Sequence, residues 1–366
     1  MPAGSSAVEI LETVHAGQPR TLSGRLVTEA EDGGLLLLTA DAMLWALQPD
    51  EIVGRTRDDQ PLVPLSQEAL SRQLRDDMPA GFEIHTTAHY MVCYNTSKPY
   101  AQWCGALFER LYLAFRNYWT RRGLDLREPE FPLVALIFAD KHSYVRHARG
   151  ELGEAAEATI GYYSMRTNHV IMYDLTGLDA LRSRGGQSLT TAQINNLLAR
   201  AETERTVATI VHEATHQIAF NSGVHERYAD IPLWLSEGTA MYFETPDFKS
   251  ARGWRTIGGV NRVRLAEFRQ LAPGRPSDAL EMLISDNTRF RNPQQSRGAY
   301  SESWALAYYL IRTNPAGFSR YMRSMSEKKP LLVDSPDDRQ HEFREAFGND
   351  LRQLDADFVR HTLRLR

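Results

Sequence analysis

Apolar positions along the chain change their period twice, and the changes divide the sequence. From about Thr21 to Val63 they form short runs, Thr21–Thr28, Leu35–Thr39, Met43–Leu47 and Glu51–Arg55, with Glu-Asp-Gly-Gly at 31–34 between the first two. Short β-prone runs joined across Asp-Gly or Gly-Gly are hairpin signals, so a small antiparallel β module is predicted. A short polar helix over Ser66–Asp77 follows, and Met78-Pro-Ala-Gly81 closes it as a linker.

A second pattern starts at Phe82. It predicts a strand at His89–Tyr94, a helix over Tyr100–Arg122 (Trp103, Leu107, Leu111, Phe115, Tyr118, Trp119) and a fully apolar strand at Leu133–Phe138. A helix at Ser143–Gly150 and strands at Thr159–Met165 and His169–Tyr173, joined by a turn at Arg166-Thr167-Asn168, complete a mixed α/β unit. From Thr190 onward the period is helical nearly everywhere, with breaks at Pro232, Pro246, Pro273, Pro315 and Pro336. The expected fold class is α+β in three parts: residues 1–80 a β module and linker, 81–180 an α/β subdomain, 181–366 a helical subdomain.

The segment with the clearest chemistry is Thr206-Val-Ala-Thr-Ile-Val-His-Glu-Ala-Thr-His-Gln-Ile-Ala-Phe220. His212 and His216 are four residues apart, which on a helix places two imidazoles on one face within reach of one metal ion. Glu213 lies about 100° round the same helix, where its carboxylate can take a proton from a metal-activated water. Two histidines leave a tetrahedral zinc unfinished. Pro232-Leu-Trp-Leu-Ser-Glu-Gly-Thr-Ala-Met-Tyr-Phe-Glu244 is a second apolar-periodic helix, and Glu237 on it would supply a third ligand while leaving one corner for water. His225 and Asp230 fall in the connecting segment, read as a loop.

His212-Glu213-x-x-His216 followed by Trp234-Leu-Ser-Glu237-Gly-x-Ala240 resembles the gluzincin zinc metallopeptidases, in particular the peptidase MA-like bacterial proteins, many of which are domains of unknown function. The resemblance covers roughly residues 82–350. It is similar in outline to thermolysin-like and aminopeptidase-type gluzincins, whose third ligand is a glutamate on the following helix. The metzincin pattern is not met, because it requires Gly at 219 and His at 222, where this chain has Ala219 and Ser222. Thermolysin-like enzymes place an aspartate four residues after the ligand glutamate to orient a metal histidine. Here position 241 is Met, leaving Glu244 and Asp230 as candidates for that role.

The resemblance implies a gluzincin-like catalytic unit with an α/β upper and a helical lower subdomain, one Zn2+ per chain on His212, His216 and Glu237, and Glu213 as general base. It further implies that Tyr300, at the start of the helix Gly298–Ile311, stabilises an oxyanion, a role for which a preorganised phenol is suited. A strand ahead of the metal helix runs along the cleft in such proteins. Gly161, Tyr162 and Tyr163 are the matching positions, where an extended peptide could add through main-chain hydrogen bonds and Gly161 would permit close approach. The expected function is zinc-dependent hydrolysis of a peptide bond in a peptide or protein substrate. An idle metal-binding scaffold and a hydrolase of non-peptide amides are the alternatives.

Composition narrows the partners. Among 366 residues, 42 basic and 46 acidic side chains give a formal charge of −4, without the basic footprint that nucleic-acid binding needs. No apolar run approaches the ~20 residues of a membrane-spanning helix. Met1-Pro-Ala-Gly-Ser-Ser has no features of an export signal, although proteins resembling this chain often carry one, which favours export over a cytoplasmic location. Cys93 and Cys104 are expected as two buried thiols, with a single disulfide as the alternative. His85, His89, His142, His147 and His169 read as solvated, and Arg360–Arg366 as a solvated helix end. Arg205, Arg227, Arg262 and Arg264 could line a cleft, and spacing selects none of them. Oligomeric state is not readable from the sequence.

Overall fold

Five strands, β1 (Ala7–His15), β2 (Gln18–Glu29), β3 (Leu35–Thr39), β4 (Leu44–Leu47) and β5 (Ile52–Pro61), form an antiparallel sheet in the order β4-β3-β2-β1-β5 in the computed structural model of the protein. The structure describes residues 7–15, 17–175, 193, 204–245 and 257–366. The predicted hairpin across 31–34 pairs Glu29 with Leu35 and Gly24 with Thr39. Leu11, Leu22, Leu35, Leu37 and Leu47 make the small core of this sheet.

β1 lies outside the predicted strands, and its burial explains why. Its inward positions are Ala7, Glu9, Leu11 and Thr13, while Val14 is exposed, so hydrophobicity does not mark the buried face. Glu9 is accommodated because Arg55 on β5 pairs with it at 3.1 Å. Beyond Arg55, β5 carries Arg57, Asp58 and Asp59 along the open edge, charges that discourage edge-to-edge pairing with other chains.

After α1 (Gln67–Asp77), capped by the Ser66 hydroxyl, come β6 (Glu83–Thr86), β7 (Tyr90–Tyr94), α2 (Lys98–Thr120), β8 (Leu133–Phe138), α3 (Lys141–Leu152), β9 (Gly161–Tyr163) and β10 (His169–Tyr173). The second sheet runs β6-β7-β8-β10-β9. Its three central strands are parallel and its two edges antiparallel. Parallel neighbours need long crossovers, which α2 and α3 provide. Every residue of β8 is buried, the reason its sequence is apolar without alternation. Cys93 on β7 and Cys104 on α2 are free and buried, so the disulfide alternative falls. Burial pushes the Cys93 thiol up to about 12, leaving it unreactive.

The helices that follow are α4 (Glu204–Asn221), α5 (Leu233–Phe243), α6 (Arg262–Leu271), α7 (Ala279–Ser285), α8 (Thr288–Arg291), α9 (Ser296–Thr313), α10 (Pro315–Ser326), α11 (Pro336–Phe347) and α12 (Leu351–Leu363). Several predicted breaks are helix starts: Pro232 is the N-cap of α5, and Pro315 and Pro336 open α10 and α11. Proline suits that place because its missing N–H has no partner in the first turn anyway. Pro246 and the start of the helical pattern at Thr190 lie outside the described residues.

The fold class is α+β. The described residues group into two compact units, one drawn from Met1–Ala106 and Pro129–Ile194, the other from Leu107–Glu128 and Asn195–Arg366. The β module and the mixed sheet fall in the first of these units, and the C-terminal half of α2 in the second. Among the described residues no helix is long and apolar enough to cross a membrane.

Candidate metal centre

α4 buries Val207, Ile210, Val211, Ala214 and Ile218, which fixes the helix and leaves His212, Glu213 and His216 only partly covered. The two imidazoles meet with Nε2 atoms 3.0 Å apart and ring centroids at 4.7 Å. α5 is apolar on all sides, the mark of a helix enclosed by protein. Trp234, Leu235, Ala240, Met241 and Phe243 are buried, and Glu237 is the acidic residue within this helix.

Gly238, beside that glutamate, explains part of the motif. A Cβ there would lie 2.6 Å from the Ser303 carbonyl oxygen and 2.9 Å from the Ala307 Cβ, both on α9. Only glycine lets the two helix backbones come so close. The same approach fixes α9 one turn after Tyr300, so the ligand helix and the tyrosine helix are set against each other by one missing side chain.

The Glu237 carboxylate closes the group: Oε2 is 3.0 Å from His212 Nε2 and Oε1 is 3.4 Å from His216 Nε2. Among the described residues these three are the one group of His, Cys, Asp or Glu placed to hold a metal ion, and no fourth such side chain joins them. The donor set fits zinc. Zinc–nitrogen distances of ~2.0–2.1 Å at a tetrahedral angle put neighbouring donors about 3.3 Å apart, which the separations here bracket. Two imidazoles and one carboxylate also match the open three-ligand arrangement rather than a closed structural site.

His212 is oriented by its other nitrogen. Nδ1 lies 2.7 Å from Glu244 Oε1, and Glu244 Oε2 accepts a 2.7 Å hydrogen bond from Asn261 Nδ2. With Glu244 as acceptor Nδ1 keeps its proton, so Nε2, on the side of the donor group, is the nitrogen whose lone pair becomes available when the ring gives up a proton. Asn261 is the N-cap of α6 and accepts from the Arg264 backbone N–H, so the start of α6 is tied through Glu244 to His212. Glu244 thus takes the orienting role; the other candidate, Asp230, instead pairs with Arg339.

The charges of the group depend on one another. Burial would lower the His212 pKa, but the Glu237 and Glu244 carboxylates raise it well above its ordinary value. Burial would raise Glu237, yet His216 and His212 hold it well below the usual carboxylate range. Burial likewise opposes ionisation of Glu244, and His212, Arg264 and Asn261 together keep its pKa below the ordinary value. His225 lies in the loop, as expected, but is buried, packed against Phe220 at 5.4 Å between ring centroids. Burial, then the neighbouring His216, pushes its pKa down to about 3, so it is neutral and takes no part in the donor group.

Tyr300, on the second turn of α9, is half-buried with its ring edge-on to Phe290 at 5.3 Å. The Glu237 carboxylate first, then burial and Glu213, raise its pKa, so the phenol keeps its proton. Tyr300 thus feels the charge of both Glu237 and Glu213. Arg264, one of four arginines between which spacing could not choose, holds its guanidinium 5.7 Å from the Tyr300 ring centroid. Asn261 and Arg264 were not singled out as a pair by the sequence. The one available signal was an asparagine immediately ahead of the helical run at 262.

Gly161, Tyr162 and Tyr163 belong to the other unit, on the edge strand β9. Tyr162 is buried in that unit's core, and the Tyr163 hydroxyl bonds the Asn168 side chain at 2.8 Å. A Cβ on Gly161 would press on Met172 Cβ at 3.0 Å, so the close approach it permits is that of β10.

Residues 206–332 match the model of a family described as a protein of unknown function (DUF1570). The match takes in every residue from His212 to Tyr300. A comparison with curated proteins finds none that matches the chain. Over about a third of its length, then, the chain is similar to an uncharacterised family, and the similar part is the one that carries the donor group.

Proposed function

We propose that the protein is a zinc-dependent metallopeptidase of gluzincin type, hydrolysing a peptide bond in a peptide or protein substrate. The observation that supports this most directly is the convergence of His212, His216 and Glu237 donor atoms at 3.0–3.4 Å, next to a glutamate on the same helix turn. Bound there, zinc would lower the pKa of a coordinated water towards ~7 and polarise the scissile carbonyl.

The remaining work falls to side chains. His212 and His216 would hold the metal through Nε2, and Glu244 holds His212 in the tautomer suited to that. Glu213 takes a proton from the attacking water on its carboxylate and delivers it to the leaving amine nitrogen. Tyr300, protonated through the working range, donates its hydroxyl hydrogen to the oxygen that becomes negative as the carbonyl is attacked. The edge strand β9 is proposed to pair with an extended substrate through its main chain, because the side chains of Tyr162 and Tyr163 are engaged within their own unit.

The test is a comparison of two variants. Glu213→Gln should retain about one zinc per chain and lose cleavage of casein by ~10²- to 10⁴-fold. His212→Ala should lose the metal. Equal cleavage by wild type and Glu213→Gln would refute the assigned base, and unchanged metal content in His212→Ala would refute the ligands. Zinc bound without cleavage of any peptide favours the scaffold reading, and cleavage confined to non-peptide amides favours the other alternative.

A further inference from the structure

The arginine beside Tyr300 has more binding capacity than the fold uses. Arg264 donates through Nη1 to Glu267 Oε2 at 3.1 Å, and its guanidinium lies over the Tyr300 ring. Among the described residues its Nε and Nη2 have no hydrogen-bond acceptor. The nearby carboxylates are otherwise engaged. Glu244 gives its two oxygens to His212 and Asn261, and Glu237 its two to His212 and His216. Glu267 also serves Arg297, at 3.3 Å from Nε and one turn before Tyr300 on α9. Two guanidinium groups therefore share the one carboxylate of Glu267, and the Nε–Nη2 edge of Arg264 is left for a ligand. The Arg264 side chain keeps a quarter of its surface exposed and Arg297 more than half, so a ligand can reach both.

From this geometry we infer that Arg264 anchors a carboxylate of the substrate next to the scissile bond, with Arg297 at the rim. The inference rests on the hydrolase reading and narrows its substrate class to peptides carrying an acidic group close to the cleaved bond. A guanidinium with two adjacent free N–H groups suits a planar carboxylate better than a neutral amide, because paired N–H···O bonds form to a fully charged acceptor. The carboxylate can come from the peptide's own C-terminus or from an Asp or Glu side chain.

Matched peptides separate the two sources. One pair differs only in a C-terminal acid or amide, and another only in Glu or Gln within two residues of the cleaved bond. For zinc-loaded full-length protein, kcat/KM should favour the acid member of one pair by about 10- to 100-fold. The pair that shows the preference identifies the source. Arg264→Gln should bring the ratio towards one, and Arg264→Lys should restore it in part. A wild type that cleaves without preference, or a preference that survives Arg264→Gln, overturns the inference and leaves the hydrolase reading standing. Calorimetric binding of the same peptides to zinc-loaded Glu213→Gln protein supplies a readout without turnover. Acid-selective binding lost on adding Arg264→Gln, in a protein that cleaves no peptide, would retain the anchor and reject the hydrolase reading; absence of both rejects both.

Discussion

Glu244 holds His212 by the nitrogen that faces away from the donor group, at 2.7 Å from Nδ1. The carboxylate does this from the C-cap of α5, the same helix whose middle presents Glu237 to the other nitrogen of the same ring. One helix thus supplies both a member of the donor group and the clamp on the neighbouring imidazole. Glu244→Gln keeps the shape and removes the charge, so it should weaken zinc binding by about 10-fold, and Glu244→Ala by towards 100-fold. Competition with a chromophoric chelator measures this. An unaltered affinity in Glu244→Ala would remove Glu244 from the centre.

Zinc binding should depend steeply on pH, and its direction follows from the shifts in the metal-free protein. His212 is raised above its ordinary 6.5, so it remains protonated at neutral pH, and the metal must displace that proton. Apparent affinity should then rise about tenfold per pH unit for each proton released, continuing above neutrality. The fold responds differently without metal. The raised His212 stabilises it fully below 6.5 and loses that effect as pH rises through the folded value; the depressed Glu237 stabilises it fully above 4.5 and loses that effect as pH falls through its folded value. Chelator-treated protein should therefore gain most from this pair between those two values. Melting curves with zinc and with chelator at several pH values check both statements, and a zinc affinity that does not change from pH ~6 to ~8 would contradict the first.

Gly238→Ala should destabilise the helical unit. Its methyl group would meet the Ser303 carbonyl oxygen at 2.6 Å, a backbone atom that cannot swing aside. The helices must separate, at a cost of about 1–3 kcal/mol. Since Ser303 lies one turn after Tyr300, the same change should reduce kcat more than zinc content. Chemical denaturation and metal analysis of the one variant test the two parts, and full stability in Gly238→Ala would mean that α5 and α9 pack less tightly than described.

What the sequence revealed of this centre, and what it concealed, follows from where each residue's partners lie. His212, Glu213 and His216 are read from spacing because helix geometry alone brings them together. Glu237 needed a second helix, which the apolar period from Pro232 to Glu244 marked and the unfinished zinc tetrahedron asked for. Asn261 and Arg264 reach the site only through packing of α6 against its neighbours, which no local pattern encodes. Glu244 was a candidate beside Asp230 until distances separated them. The β8 run was legible because a strand buried on both faces must be apolar throughout. β1 was not, because Glu9 and Thr13 face inward while Val14 faces out, and an ion pair with Arg55 rather than hydrophobicity makes that tolerable.

Two residues past Tyr300, Glu302 is buried and takes Arg289 Nη2 on Oε1 at 2.5 Å and Arg275 Nε on Oε2 at 2.9 Å. Arg289 also donates to the Ala279 carbonyl, and Arg275 to Asp355, so this carboxylate joins α7, α8, α9 and α12. Removing Arg289 leaves the buried Glu302 charge to Arg275 alone and the Ala279 carbonyl without its donor, so the charge is only partly compensated. Arg289→Met should therefore lower stability by about 2–3 kcal/mol, below the cost of a wholly unpaired buried charge. Replacing the pair together, Arg289→Met with Glu302→Leu, should recover part of the loss, because the under-compensated carboxylate is gone while Arg275 keeps Asp355. A double variant as unstable as the sum of the two single ones would show that Glu302 contributes through Arg275 and not through Arg289.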